Sequence, residues 1–205
     1  MPQVPSIKGG VFALAVEDFQ KLLKEGAISP HEATRWLEPL DFDVLDRPAN
    51  PIEWYDVRIY GRLLLLLRDV VADGRNEYLC QRGTRSAQHL LAAGLYQQLE
   101  YLNRTQLGRA SDPRSRYEAF GRDLRLLTTI SASILSFSKW ASKPDADHAD
   151  RYRIEVSEAK DFPEGLIWTS QGFMNGMATQ HGEPDLWRGE RVHSDLIVYR
   201  MIRAL

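Results

Sequence analysis

The chain is poor in cysteine, in long apolar runs and in net charge, and each shortage removes a class of function. Cys80 is the one cysteine among 205 residues, so no internal disulfide or cysteine-rich zinc site is available and a reducing compartment is expected. The opening Met1-Pro2-Gln3-Val4-Pro5 has no basic start followed by an apolar stretch, which predicts no secretory signal. The longest apolar run, Leu63 to Leu67, is far too short to cross a bilayer. A net charge of −2 argues against a general nucleic-acid or membrane-surface binder. Together these predict a cytoplasmic protein with no membrane span and no nucleic-acid partner. With 43% hydrophobic and 26% charged residues, a core of ordinary size needs neither metal nor disulfide.

The hydrophobic periodicity predicts helices first and a small sheet last. Residues 1–10 read as an extended arm. Phe12, Val16, Phe19, Leu22 and Leu23 mark a helix over Val11–Lys24, stopped by Gly26. Ser29-Pro30-His31-Glu32 has the form of a capping box and predicts a helix to about Glu38. Pro39, Pro48 and Pro51 then mark an irregular connector. A long helix is expected over Ile52–Val71, apolar almost all round at its five leucines, which suggests a helix sandwiched between layers or shared between subunits, the second being the expected route to a dimer. It ends at Asp73-Gly74. Glu77 to Leu102 is helical in pattern, with Gly83 as a break and Gly94 as a close-contact position. Arg116 to Ala141 reads as another long helix, whose small residues (Thr128, Thr129, Ser131, Ala132, Ser133, Ser136) would seat a neighbouring helix. Lys143 to Asp147 reads as a loop.

The final segment is the most informative. Arg151–Ala159 alternates as a half-buried strand, Pro163–Gln180 is an amphipathic helix, and Trp187–Val192 and Leu196–Ile202 read as two further strands. Gly172 and Gly176, four apart in the helix, imply close contact with a helix or sheet. The predicted class is α+β: long antiparallel helices packed with a small antiparallel C-terminal sheet carrying one helix, plus an N-terminal helical segment. The expected division is 1–50 for the helical segment and 51–205 for the main domain.

Ile52-Glu53-Trp54-Tyr55 and Gly172-Phe173-Met174-Asn175-Gly176 carry a family resemblance, with support from Ile7-Lys8-Gly9, Glu17-Asp18-Phe19, Ile28-Ser29 and Gly94-Leu95-Tyr96. The chain resembles the superfamily of haem–nitric oxide binding (H-NOX) domains, 4-vinyl reductase (V4R) ligand-binding domains and Bet3-type subunits of TRAPP tethering complexes. Within it, the chain is most similar to an uncharacterised set of myxobacterial paralogues. The resemblance implies a non-catalytic fold whose members bind small ligands or pair with partners, often as dimers through their long helices. Its haem branch grips the propionates with a Tyr-x-Ser-x-Arg motif. Arg116-Tyr117-Glu118-Ala119-Phe120 lacks the Ser and Arg of that motif, so no cofactor is expected. The cysteine-based metal site of many V4R domains is absent too, since 151–205 contains no cysteine.

No set of reacting groups stands out, and the expectation is of a protein that is not an enzyme. Of His31, His89, His148, His181 and His193, none forms an i, i+4 metal pair. His89 lies nearest a core position, whereas His148 and His181 read as solvated. Cys80 reads as a buried, inert thiol. Ser131, Ser133, Ser136 and Ser138 lack a nucleophile elbow. Arg82, Arg85, Arg122 and Arg125 are candidates for an anion site, against a plainer reading as solvated ion pairs. Tyr55, Ile59, Leu63, Leu124 and Phe173 are candidates to line an apolar pocket between the helices and the sheet, against a reading as filled core. The expected function is a dimerising small-ligand sensor or regulatory domain, its ligand an apolar small molecule or acyl chain. The alternative is a protein-interaction scaffold or tethering subunit with no ligand.

Overall fold

A computed structural model describes residues 4–92, 112–179 and 181–205. The expected close contact at Gly94 and the helical pattern over 93–102 lie outside the described residues. The architecture is α+β, with helices leading into a four-stranded antiparallel sheet of order β3 (Lys139–Pro144), β4 (Tyr152–Ser157), β6 (Leu196–Met201) and β5 (Trp187–His193).

The N-terminal arm is stitched into the body. Strand β1 (Ser6–Lys8) pairs antiparallel with β2 (Trp54–Asp56), placing Ile7 opposite Tyr55. Ser6 also exchanges bonds with Ser136: its N–H donates to Oγ at 2.9 Å, and its carbonyl accepts from the Ser136 N–H at 3.0 Å. Helix α1 (Gly9–Lys24) follows at once. Its buried Phe12, Val16 and Phe19 match the predicted stripe, Leu22 and Leu23 are half-buried beside it, and Ala15 joins the buried face. Phe12, Ala15, Val16 and Phe19 lie in the same apolar cluster as Leu63, Leu67 and Ile154.

Ser29 caps α2 (Pro30–Ala33) through the expected box: its Oγ accepts from the Glu32 N–H, and Glu32 accepts from the Ser29 N–H. That helix is a single turn and stops well short of Glu38. Pro39, read as the start of a connector, instead opens α3 (Pro39–Leu45), since proline fits a first helical turn. Asp41, 1% exposed, holds α3 to the next helix by accepting two 2.7 Å bonds from Arg62.

Helix α4 (Val57–Ala72) begins later than the periodicity suggests. Trp54 and Tyr55 are drawn into β2 by pairing with β1, and Asp56 becomes the N-cap, accepting from the Arg58 N–H at 2.9 Å. The end is as expected, with Asp73 (φ 50°) and Gly74 (φ 79°) both left-handed. Leu63, Leu64, Leu66 and Leu67 are fully buried within this one chain and Leu65 is half-buried. The leucine run therefore fills the protein's own core, and its apolar surface no longer argues for a second copy.

Helix α5 (Glu77–Ala92) passes through Gly83 without a break. Gly83 is there because α5 lies against the last helix, α7 (Glu164–Thr179), backbone to backbone. A Cβ on Gly83 would stand 1.9 Å from the Thr169 carbonyl oxygen, one on Gly172 1.8 Å from that of Cys80, and one on Gly176 2.9 Å from the Ala87 Cβ. The four-residue glycine spacing in α7 thus marks a helix contact, as the sequence implied.

Helix α6 (Pro113–Ile134) starts at Asp112, whose carboxylate accepts from the Ser115 N–H at 3.0 Å. It ends about seven residues earlier than expected, and Lys139–Pro144 forms β3 rather than helix and loop. The hydroxyls of Thr128, Thr129, Ser131 and Ser133 bond back to carbonyls three or four residues earlier in the same helix. Thr129, Ala132 and Ser133 are exposed, so among the described residues no helix is seated on these three.

Strands β4 (Tyr152–Ser157), β5 (Trp187–His193) and β6 (Leu196–Met201) occur where alternation placed them. Helix α7 is tied to β5 by two amide side chains one turn apart. Asn175 accepts from the Trp187 N–H at 2.7 Å and donates to its carbonyl at 3.2 Å, and Gln171 accepts from the Gly189 N–H at 2.9 Å. The outer edge of β5 is thereby satisfied by a helix.

Candidate functional site

Two concavities flank α7. The first is a small recess between α6 and α7 with room of about 20 Å³, walled by Phe120, Leu124, Leu127, Met174, Met177, Ala178 and Trp187. Such a space holds about one water-sized sphere. Aromatic rings account for its small size. Phe120 and Trp187 stack at 6.3 Å, Phe120 lies 6.4 Å from the Tyr152 ring, and Tyr152 stacks on Tyr117 at 4.2 Å.

Two titratable groups complete that recess. The His181 side chain is 7% exposed, and its Nε2 lies 3.9 Å from the Asp123 carboxylate. Its Nδ1 is buried without a hydrogen-bond partner. Burial pushes the imidazole down to about 4 and, partly offset by Arg122, lifts Asp123 to about 6. The sequence reading had these priorities reversed, because His89 is exposed and His181 is not. The turn after α7, with the His181 N–H bonded to the Ala178 carbonyl, folds the imidazole back under the helix. No periodicity marks such a residue.

The second concavity is an open groove of about 1070 Å³ along the outer side of the α5–α7 contact. Tyr78, Cys80, Gln81, Thr84, Arg85 and Gln88 line it from α5, Trp168, Gln171, Asn175 and Thr179 from α7, and Asp185 and Arg188 close one end. Its existence follows from the glycines: the helix backbones touch, so the longer side chains on either side stand up as walls. Arg188 is already held by Asp185 through bonds of 2.7 and 2.6 Å. Arg85 lies over the Tyr78 ring at 6.0 Å. Cys80 sits in the wall with its thiol pushed up to about 11, chiefly by burial, so it is a poor nucleophile at neutral pH.

The candidate residues from the sequence disperse over this geometry. Of the four arginines, Arg85 lines the groove. Arg82, 5% exposed, turns inward to pair with Asp18 of α1, while Arg122 and Arg125 are exposed on α6. The structure does not bring the four together, because the Asp18 carboxylate draws Arg82 into the interior. Of the five apolar candidates, Leu124 borders the small recess. Tyr55 stacks on Phe12 at 4.5 Å, Leu63 is fully buried, and Ile59 and Phe173 are half-buried against the core. These four are spent on packing against α1, the core and α5. Among the described residues, no group of three or more His, Cys, Asp or Glu side chains is placed to hold a metal ion.

Helices joined to a four-stranded antiparallel sheet by a glycine-faced helix define an α+β domain. The comparisons narrow the fold. One solved structure, from a study of haem distortion in the H-NOX family, matches over 97% of this chain and 97% of its own, at 13% identity and a TM-score of 0.50. A point mutant of the T. tengcongensis H-NOX matches over 97% of this chain and 100% of its own, at 12% identity and a TM-score of 0.49. The fold is H-NOX-like. No family model matches the chain, and no curated protein matches it significantly.

Proposed function

We propose that the chain is a non-enzymatic sensor or regulatory domain that takes a small amphiphilic ligand in the groove between α5 and α7. The groove's size carries this reading. At about 1070 Å³ it reaches the range of small-molecule sites, roughly 300–1,000 Å³, while the recess on the other side of α7 offers about 20 Å³. Trp168 and Tyr78 give the groove aromatic surface, and Gln81, Gln88, Asn175 and Arg85 supply polar groups. An acyl chain or flat apolar body against the rings, with a polar end at the amides, matches that lining.

Haem, which the fold would suggest, does not fit. The rings of Phe120, Tyr152 and Trp187 occupy the space between α6, α7 and the sheet. His181, the histidine at the recess, borders a space of only about 20 Å³, far too little for a porphyrin. Added haemin is expected to give no ligated Soret band.

The alternative reading, a tethering subunit with no ligand, draws support from the filled interior. Native mass spectrometry of the freshly purified chain separates the two. A small-molecule adduct that is lost in Gln81→Trp, which would block the groove, supports sensing. Bare protein mass for both wild type and variant overturns sensing in favour of scaffolding. Self-pairing belongs to this proposal as well, and light scattering at high micromolar concentration tests it. Among the described residues no helix is long and apolar enough to cross a membrane.

A further inference from the structure

The recess between α6 and α7 is bordered by a group of soft donors that belong to the core's apolar wall and that the proposed function does not use. Met174 and Met177, three residues apart on α7, share a face, and the turn after the helix brings His181 under them. All three line the same space of about 20 Å³. The imidazole Nδ1 is buried and bonded to nothing, while Nε2 is directed toward the Asp123 carboxylate at 3.9 Å. At 3.9 Å the carboxylate lies beyond hydrogen-bond distance of Nε2, though near enough to offset a cation at the recess, and Nδ1 remains the unengaged donor. The contrast with Met201 is informative, because its sulfur accepts the Tyr152 N–H at 3.1 Å and so is already engaged.

We propose that Met174, Met177 and His181 form a three-coordinate site for Cu(I). Thioethers with an imidazole are a soft, neutral donor set, which selects Cu(I) over zinc, magnesium or calcium. Two neutral sulfurs and a neutral imidazole bind the ion without releasing a proton, and the Asp123 carboxylate balances its single positive charge. The apolar wall of Phe120 and Trp187 keeps water from the ion, as a low-coordinate cuprous site requires. The space accepts a bare ion and excludes a hydrated one.

The test is anaerobic titration of the full chain with Cu(I) against the chelator bicinchoninate, alongside Met174→Leu, Met177→Leu and His181→Gln. Leucine conserves the methionine volume closely, so folding is expected to persist. One Cu(I) per chain is expected, weakened at least tenfold by each leucine variant and about a hundredfold by His181→Gln, with Met201→Leu unchanged and zinc failing to compete. Methyl NMR of the wild-type protein gives a readout that needs no variant: the Met174 and Met177 ε-methyl resonances shift with Cu(I), and that of Met201 does not. Loss of all copper to bicinchoninate overturns the site, as do equal affinities across the variants or unshifted Met174 and Met177 methyls.

Discussion

Helix α7 meets its two helical neighbours in opposite ways. Toward α5 it presents Gly172 and Gly176, and the backbones touch with no room for even one added carbon. Toward α6 it presents Met174 and Met177, and the larger side chains leave a small gap beside His181. The tight contact pushes free volume outward, into a groove at the protein's surface. The loose one keeps a little of it in a half-open recess beside the helix. Glycine and methionine, interleaved in one short segment, thus decide on which side of a helix a small molecule finds space.

The strongest way to break this contrast is to add a methyl group to the tight side. Gly172→Ala would place a carbon 1.8 Å from a backbone oxygen that cannot swing away, and the expected cost is about 4 kcal/mol or complete loss of folding. Gly176→Ala, at 2.9 Å from a side-chain methyl, is expected to cost markedly less. Urea denaturation of the two variants measures the difference.

The loose side is probed by pH. Asp123 titrates in the folded protein at about 6 against its ordinary 3.8, so its contribution to stability is full below 3.8 and is lost as pH rises toward 6. His181 titrates at about 4 against its ordinary 6.5, so its contribution is full above 6.5 and is lost as pH falls toward 4. Each effect is on the order of 3 kcal/mol, and in the wild-type protein the two slopes largely cancel. His181→Gln is expected to lose about 2–3 kcal/mol of stability between pH 4 and 6, and Asp123→Asn to gain a similar amount between pH 4 and 6.5. Parallel pH profiles for the two variants would refute opposing buried groups.

A smaller effect is expected from the clip that holds the sheet to α7. Asn175→Ala leaves the Trp187 N–H without its acceptor, a cost of about 2 kcal/mol. Faster hydrogen exchange at Trp187 and Gly189 than in the interior strands is the accompanying signature. The smallest effect lies in the groove wall. Cys80 alkylation is expected to be slow at pH 7.5 and to rise about tenfold per pH unit toward 11 without change in stability. Rapid modification at neutral pH would show that the wall is more open than described.

How much could be read from the residues followed from the range of the interactions involved. The Ser29 capping box, the left-handed exit at Asp73-Gly74 and the alternation over 152–157 and 196–201 rest on neighbours in sequence, and they were legible. Strand β1 and the delayed start of α4 depend on pairing across some fifty residues, from Ile7 to Tyr55, which no local pattern contains. Strand β3 was hidden because Lys139–Pro144 has exposed and half-buried positions with no strong apolar face. The groove was less accessible still, since it exists only where residues near 80 meet residues near 172. Its single legible trace was the glycine pair. The buried His181–Asp123 pair left no trace, because a turn, rather than a helix period, carries His181 inward.

The amide clip from α7 has a consequence for growth of the sheet. With Gln171 and Asn175 occupying the outer margin of β5, a foreign strand finds no free donors to join at Trp187 or Gly189. Recruitment of another chain by strand addition is left to the opposite margin, at β3. There the exposed Lys139 and Lys143 share one face of the strand and Pro144 removes a donor at its end, the devices that keep an open sheet border from templating aggregates.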